Sequence, residues 1–169
     1  MNKQMVANVL RILQSNEVPL QKVVLHKFLY FLNTQGFVTG FKFEPYTYGP
    51  FSFDLASTLG SMAFWDEIRQ NSYTIEVNDL SGYSKPPQDA VALIENHLNE
   101  FKTVVEDFDF NNLECAGTVL YCAESLRSQG EKVTAENIER EFKAWKGTNY
   151  SSAAIQDMYG RLSPYINKQ

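Results

Sequence analysis

The segment from Val23 to Leu32, VVLHKFLYFL, constrains this chain more than any other. On a helix, its residues Val23, Val24, Leu25, Phe28, Leu29, Tyr30, Phe31 and Leu32 cover nearly every face. A helix that is apolar all round must be packed on several sides, so the fold has to be built around this one. Pro19 fits a first helical position, where its missing N–H costs nothing. Gly36 fits the position just past a helix end. The pattern therefore predicts a central helix from about 19 to 35.

The rest of the chain supplies mainly helices to surround it. Residues 2 to about 14 are amphipathic, with Met5, Val9 and Ile12 or Leu13 on one face beside Val6 and Leu10. After Gly36, Phe41 and Phe43 alternate with Lys42 and Glu44. Pro45 and Pro50 push Glu44 and Gly49 toward extended geometry, which predicts a stiff connector. Ser52 is placed to cap a third helix, with Asp54 in its first turn. Leu55, Leu59 and Met62 line that helix, and Trp65-Asp66 closes it. Tyr73 to Val77 alternates like a half-buried strand, and EIRQNSYTIEV predicts a hairpin turning on Asn71-Ser72. Residues 78–87 are turn-rich.

From Gln88 the pattern is helical throughout. Ile94, Leu98, Phe101, Val105 and Phe108 form one stripe, and Leu113, Ala116, Leu120 and Ala123 a second. Thr134 caps a helix with Ile138, Phe142 and Trp145 on one face. Ser151 or Ser152 caps the last helix, with Ile155, Met158, Tyr159 and Leu162, which Pro164 is expected to stop. The order predicts a mainly α fold, a compact helical domain. Its winged-helix-like three-helix core carries one short β-hairpin and is followed by about four helices. The expected organisation is a single domain over 1–169, with a winged-helix-like half, 1–86, and a helical half, 87–169, packed on it.

The composition excludes several classes of function. The chain has 169 residues and a net charge of −5, which opposes non-specific binding to phosphates. The third helix contains no Lys or Arg and carries Asp54 near its start, so DNA is not the expected partner. No stretch approaches the length of apolar sequence that spans a membrane, and the N-terminus lacks the pattern of a signal peptide. Cys115 and Cys122 are seven apart, too far along one helix for a disulfide, and read as reduced thiols of a cytoplasmic protein. Zinc spacing is absent around both cysteines, and neither histidine has a Glu three residues before it. No phosphate-cradling glycine motif or nucleophile elbow is present. The expectation is no metal, no cofactor and no catalytic residue. His97, at the margin of an apolar stripe, reads as a boundary residue.

Two places remain as candidate sites. Lys22, His26 and Tyr30 share one face of the central helix, with Lys27 beside them. They read either as a polar site on a buried helix or as its one solvated edge. The second place is EPYTYGPFS, residues 44–52, with Glu44, Tyr46, Tyr48, Gly49, Pro50 and Phe51 as its candidate interaction residues. It reads as a rigid aromatic corner, as a partly exposed surface that grips another protein, or as both if its tyrosines face opposite ways.

At these residues LHKFLYFLNTQG followed by FEPYTYGPFSFDLASTLGSM resembles the helix-then-YGP pattern of the YwgA-like proteins of bacteria and archaea. It is also similar to the related Panacea, or SocA-like, antitoxin domain, where a K-x-L-Y helix precedes a Gly-Pro step by a similar distance. The matching positions are Lys27, Leu29, Tyr30, Tyr48, Gly49, Pro50 and Ser52. His26 stands where the family pattern has Gln, and Phe51 follows the Gly-Pro step. The helices after Pro87 add almost nothing to the match. The resemblance implies a small helical domain with no established catalytic residues. In Panacea proteins it implies an antitoxin that neutralises a toxin by direct binding, or an adaptor for proteolysis.

The expected function is therefore a non-enzymatic protein–protein interaction module of the bacterial cytoplasm, in a toxin–antitoxin or phage-defence setting. One alternative is a winged-helix regulator touching DNA through its wing. Another is an enzyme centred on His26, Tyr30 and Glu44.

Overall fold

In the computed structural model, which describes residues 2–167, helix α1 (Lys3–Ser15) precedes a helix α2 (Lys22–Thr34) that is buried without interruption from Val24 to Leu32. His26 and Lys27 lie inside that buried run. Gly36 follows α2 with φ +85°, and the Phe37 N–H donates back to the Leu32 carbonyl at 3.0 Å. That is the closure a glycine past a helix end allows.

Helix α2 begins later than Pro19 suggested, because residues 20 and 21 serve another element. The chain forms two antiparallel hairpins: β1 (Glu44–Tyr46) with β2 (Gly49–Phe51), and β3 (Ile68–Gln70) with β4 (Ile75–Val77). Gln21 bridges Thr74 beside the second hairpin, while Ile75 donates to the Leu20 carbonyl and Lys22 to the Tyr73 carbonyl, both at 2.8 Å. The pre-α2 segment thus joins the edge of the hairpin through a single β-bridge. With α3 (Phe53–Phe64) between the hairpins, this is the three-helix-plus-wing layout read from the sequence. The wing turns where expected, and the Asn71 side chain accepts the N–H groups of Tyr73 and Thr74 at 2.9 and 2.8 Å.

The segment at 44–51, expected to be a stiff connector, folds as a hairpin. Its prolines explain why that was not foreseen and why it is allowed. Thr47-Tyr48 is a two-residue link, so the flanking pair Tyr46 and Gly49 exchanges the ladder hydrogen bonds. Pro45 and Pro50 face each other in the next pair. There, backbone groups point out of the ladder and no N–H is missed.

Four more helices follow: α4 (Gln88–Val105), α5 (Phe110–Ser128), α6 (Ala135–Lys146) and α7 (Ser152–Ile166). Helix α4 stops before Phe108, because Glu106 and Phe108 both adopt positive φ. Helix α5 is as central as α2, with every residue from Leu113 to Leu120 buried. Its small residues Ala116, Gly117 and Thr118 make it unremarkable by hydrophobicity but let neighbours approach closely. Thr134 caps α6 as expected, and of the two serines offered for α7 it is Ser151 that caps it, each accepting a backbone N–H at 3.1 Å.

Pro164 does not end α7; it lies inside that helix. The carbonyl it leaves without an N–H is that of Gly160, four residues back. The Ser163 hydroxyl donates to it at 3.1 Å. The buried apolar residues of both halves form one cluster.

Candidate functional site

What holds EPYTYGPFS in place lies beneath the hairpin. A residue in a non-hydrogen-bonded pair points its carbonyl away from its partner strand, and Pro50, paired with Pro45, is such a residue. The buried Lys27 ammonium, 3% exposed, donates to that carbonyl at 2.8 Å. A buried carbonyl left unpaired would cost about 1–3 kcal/mol, so this bond has a structural purpose. Burial pushes the Lys27 pKa down to about 7; Glu114 pulls against that shift, and Lys146 adds to it.

His26, 4% exposed, accepts the Ser52 N–H on Nδ1 at 3.3 Å and stacks on Phe51 with ring centroids 4.4 Å apart. Burial lowers its pKa to about 3, with Lys27 and then Lys22 reinforcing the shift. The ring is therefore neutral at ordinary pH, which leaves Nδ1 free to act as an acceptor. Ser52 in turn caps α3, its hydroxyl accepting the Leu55 N–H at 3.1 Å.

A third side chain holds the turn. Lys146, at the end of α6, donates to the Thr47 carbonyl at 2.6 Å and pairs with Glu114 of α5 at 3.5 Å. Glu114 also accepts the Tyr150 hydroxyl at 2.6 Å, and burial followed by that contact raises the Tyr150 pKa. Two lysines and a histidine thus fix three backbone groups of the segment from Thr47 to Ser52.

Two glycines make the fit possible. Gly49 has φ +98°, and a Cβ there would stand 3.3 Å from Thr118 Oγ1 and 3.4 Å from Lys27 Nζ. A Cβ on Gly117 of α5 would stand 3.1 Å from both Lys27 Cδ and Pro50 Cδ. The helix and the hairpin close on the Lys27 stem because neither position has a side chain.

The opposite face of the hairpin is open. Tyr46 is 49% exposed, Tyr48 57%, Phe53 51% and Phe110 42%. Tyr46, Phe51 and Phe53 contact one another with centroids 5.0–5.3 Å apart, and Tyr48 meets Phe110 edge to face at 5.2 Å. Such rings present large rigid area with few rotatable bonds. Both tyrosines face outward, so the inward role falls to Gly49, Pro50 and Phe51.

The first candidate set is divided by the structure. His26 and Lys27 are clamps, so the reading of this face as a solvated edge does not hold. Lys22 is partly buried, and its backbone serves the wing. Tyr30 is buried and donates to Glu124 Oε2 at 2.7 Å; burial and then the Glu124 charge hold its pKa well above the usual value. Glu44 is exposed on β1. His26 and Tyr30 therefore engage separate partners, Ser52 and Glu124, and no hydrogen bond among the described residues joins either of them to Glu44. Cys115 and Cys122 are free, buried thiols, both pushed up to about 12 mainly by burial. His97 Nδ1 lies 2.7 Å from Glu100 Oε1.

Lys146, Glu114 and Tyr150 were not singled out in the sequence. Lys146 had a readable signal. It lies four residues after Phe142 and eight after Ile138, in register with the α6 core stripe, and it is buried where Trp145 is only partly so. A cleft of about 730 Å³ opens beside Glu114 and Tyr150. Its carboxylates are already engaged: Asp109 caps α5, Glu114 pairs with Lys146, and Asp157 pairs with Arg161 at 2.9 Å.

No family model matches the chain, and no curated protein matches it. Among the described residues no helix is long and apolar enough to cross a membrane.

Proposed function

We propose that this chain is a non-enzymatic protein-interaction module that grips its partner with the outer face of the clamped hairpin. The observation that carries the reading is the pairing of two faces on one short segment. Inward, its backbone is held by Lys27, His26 and Lys146. Outward, it displays Tyr46 and Tyr48 beside Phe53 and Phe110. A surface already fixed before binding loses little conformational entropy when a partner docks.

The setting we propose is that of the YwgA-like and Panacea proteins, which the segment resembles: an antitoxin or adaptor of the bacterial cytoplasm, acting on a toxin or defence component. The residues shared with that pattern are mainly those of the clamp. Lys27, Gly49 and Pro50 meet at one contact, and Ser52 joins it through His26. The DNA-regulator alternative gains no support from α3, whose exposed residues Phe53, Asp54, Ser57, Gly60 and Phe64 include no cation.

The test is co-expression with the product of the adjacent gene. The proposal expects the two to co-purify and any growth arrest caused by that product to be relieved, with both effects lost in Tyr46→Ala/Tyr48→Ala. Relief of toxicity that persists in the double variant would overturn it.

A further inference from the structure

We propose that the partner segment seated on this face is basic, an arginine-bearing stretch of polypeptide. This rests on the reading of the hairpin as the docking surface and adds the chemistry of its occupant. The exposed rings of Tyr46, Tyr48, Phe53 and Phe110 offer negative π-faces, which attract cations, and guanidinium groups stack on them best.

The charges interleaved with these rings have one prevailing sign. Glu44 lies two residues before Tyr46, Asp54 follows Phe53, and Asp107 and Asp109 precede Phe110. All four are exposed. Asp107 and Asp109 are used locally, accepting the backbone N–H groups of Asp109 and Asn112. The Glu44 and Asp54 carboxylates have no hydrogen bond or ion pair among the described residues.

The two cations bound to the hairpin backbone, Lys27 and Lys146, are buried and committed to the carbonyls of Pro50 and Thr47. Lys42, two residues before Glu44, is the exposed exception. An aromatic face whose rings are flanked in sequence by exposed Glu44 and Asp54 complements a basic chain and repels a phosphate-rich or acidic one.

The experiment is an NMR titration of the full chain with three peptides: nona-arginine, nona-glutamate, and a neutral peptide of alternating Leu and Ser. The proposal expects nona-arginine to shift the resonances of Tyr46, Tyr48, Phe53 and Phe110 saturably, with affinity roughly tenfold or more above nona-glutamate and falling as salt rises. Glu44→Gln/Asp54→Asn, which preserves shape, should weaken nona-arginine roughly threefold to tenfold, and so should Tyr48→Ala. Shifts spread over other acidic surfaces, or variants that bind like the parent, would reduce the effect to general attraction by an acidic protein and overturn the proposal. If the neutral peptide shifts the four rings and nona-arginine does not, the docking face stands and the basic partner is wrong. If neither peptide touches the rings, both readings fail.

Discussion

His26 should make this fold acid-sensitive, and the size of the effect follows from its surroundings. Its Nδ1 lone pair accepts the Ser52 N–H, so protonation must break that bond as well as bury a charge beside Lys27. The folded pKa of about 3 lies below the ordinary 6.5. The unfolded chain therefore binds this proton first. Stability from His26 is fully present above pH 6.5 and is lost progressively as pH falls toward about 3. Each unit of that window corresponds to about 1.36 kcal/mol, so at about pH 4.5, roughly two units below the ordinary value, the loss is about 3 kcal/mol. In His26→Gln an amide oxygen can accept the same N–H without titrating. The variant should lose a roughly constant increment of about 0.5–1.5 kcal/mol from the missing stack on Phe51. Urea unfolding followed by circular dichroism, at about pH 7.5 and about pH 4.5, separates the two effects. The parent should lose about 3 kcal/mol more than His26→Gln between these conditions. Equal losses in the two proteins would mean that His26 titrates normally and is not the closed acceptor described here.

Lys27 predicts a second window: its pKa, lowered from 10.5 to about 7, means the unfolded chain holds more protons between those values, so stability should rise from pH 7 to 9. Lys27→Met should flatten that rise in the same unfolding assay. Gly117→Ala adds a good helix former yet should destabilise by about 1–3 kcal/mol, because its Cβ would press on Lys27 Cδ and Pro50 Cδ at 3.1 Å; an unchanged or raised melting temperature would show that the hairpin yields. Cys115 and Cys122, buried and with pKa near 12, should resist a thiol reagent in the native protein at neutral pH and react on unfolding.

How far the sequence revealed this arrangement differs from element to element. Helix α2 was legible because eight apolar residues in a run of ten leave no face for water. The caps at Ser52, Thr134 and Ser151 were legible because a hydroxyl before a helical pattern has one common use. The 44–51 hairpin was not, because proline normally argues against a paired strand. Only the register, which sets Pro45 opposite Pro50, shows that both sit where no N–H is needed. Pro164 misled in a similar way, since its orphaned carbonyl is rescued by a local serine. Of the clamp, Lys27, Gly49 and Pro50 were singled out, but in two separate groups. Their partner Lys146 lies about a hundred residues away in sequence, and no local pattern encodes such a meeting. Helix α5 hid its central position because burial there depends on smallness rather than on hydrophobicity.

The central claim is that one short hairpin has a structural inner face and a binding outer face. Gly49→Val and Tyr48→Ala, neighbours in sequence, test it together through two readings each: thermal unfolding, and affinity for the co-purifying partner. Gly49→Val puts a branched side chain at φ +98° against Thr118 and Lys27, and should cost more than about 1 kcal/mol of stability. Tyr48→Ala removes a ring that is 57% exposed, and should leave the melting temperature nearly unchanged while weakening the complex by about 2 kcal/mol. If Tyr48→Ala instead unfolds the protein, or leaves the affinity intact, the outer face is not the interface and the claim is contradicted.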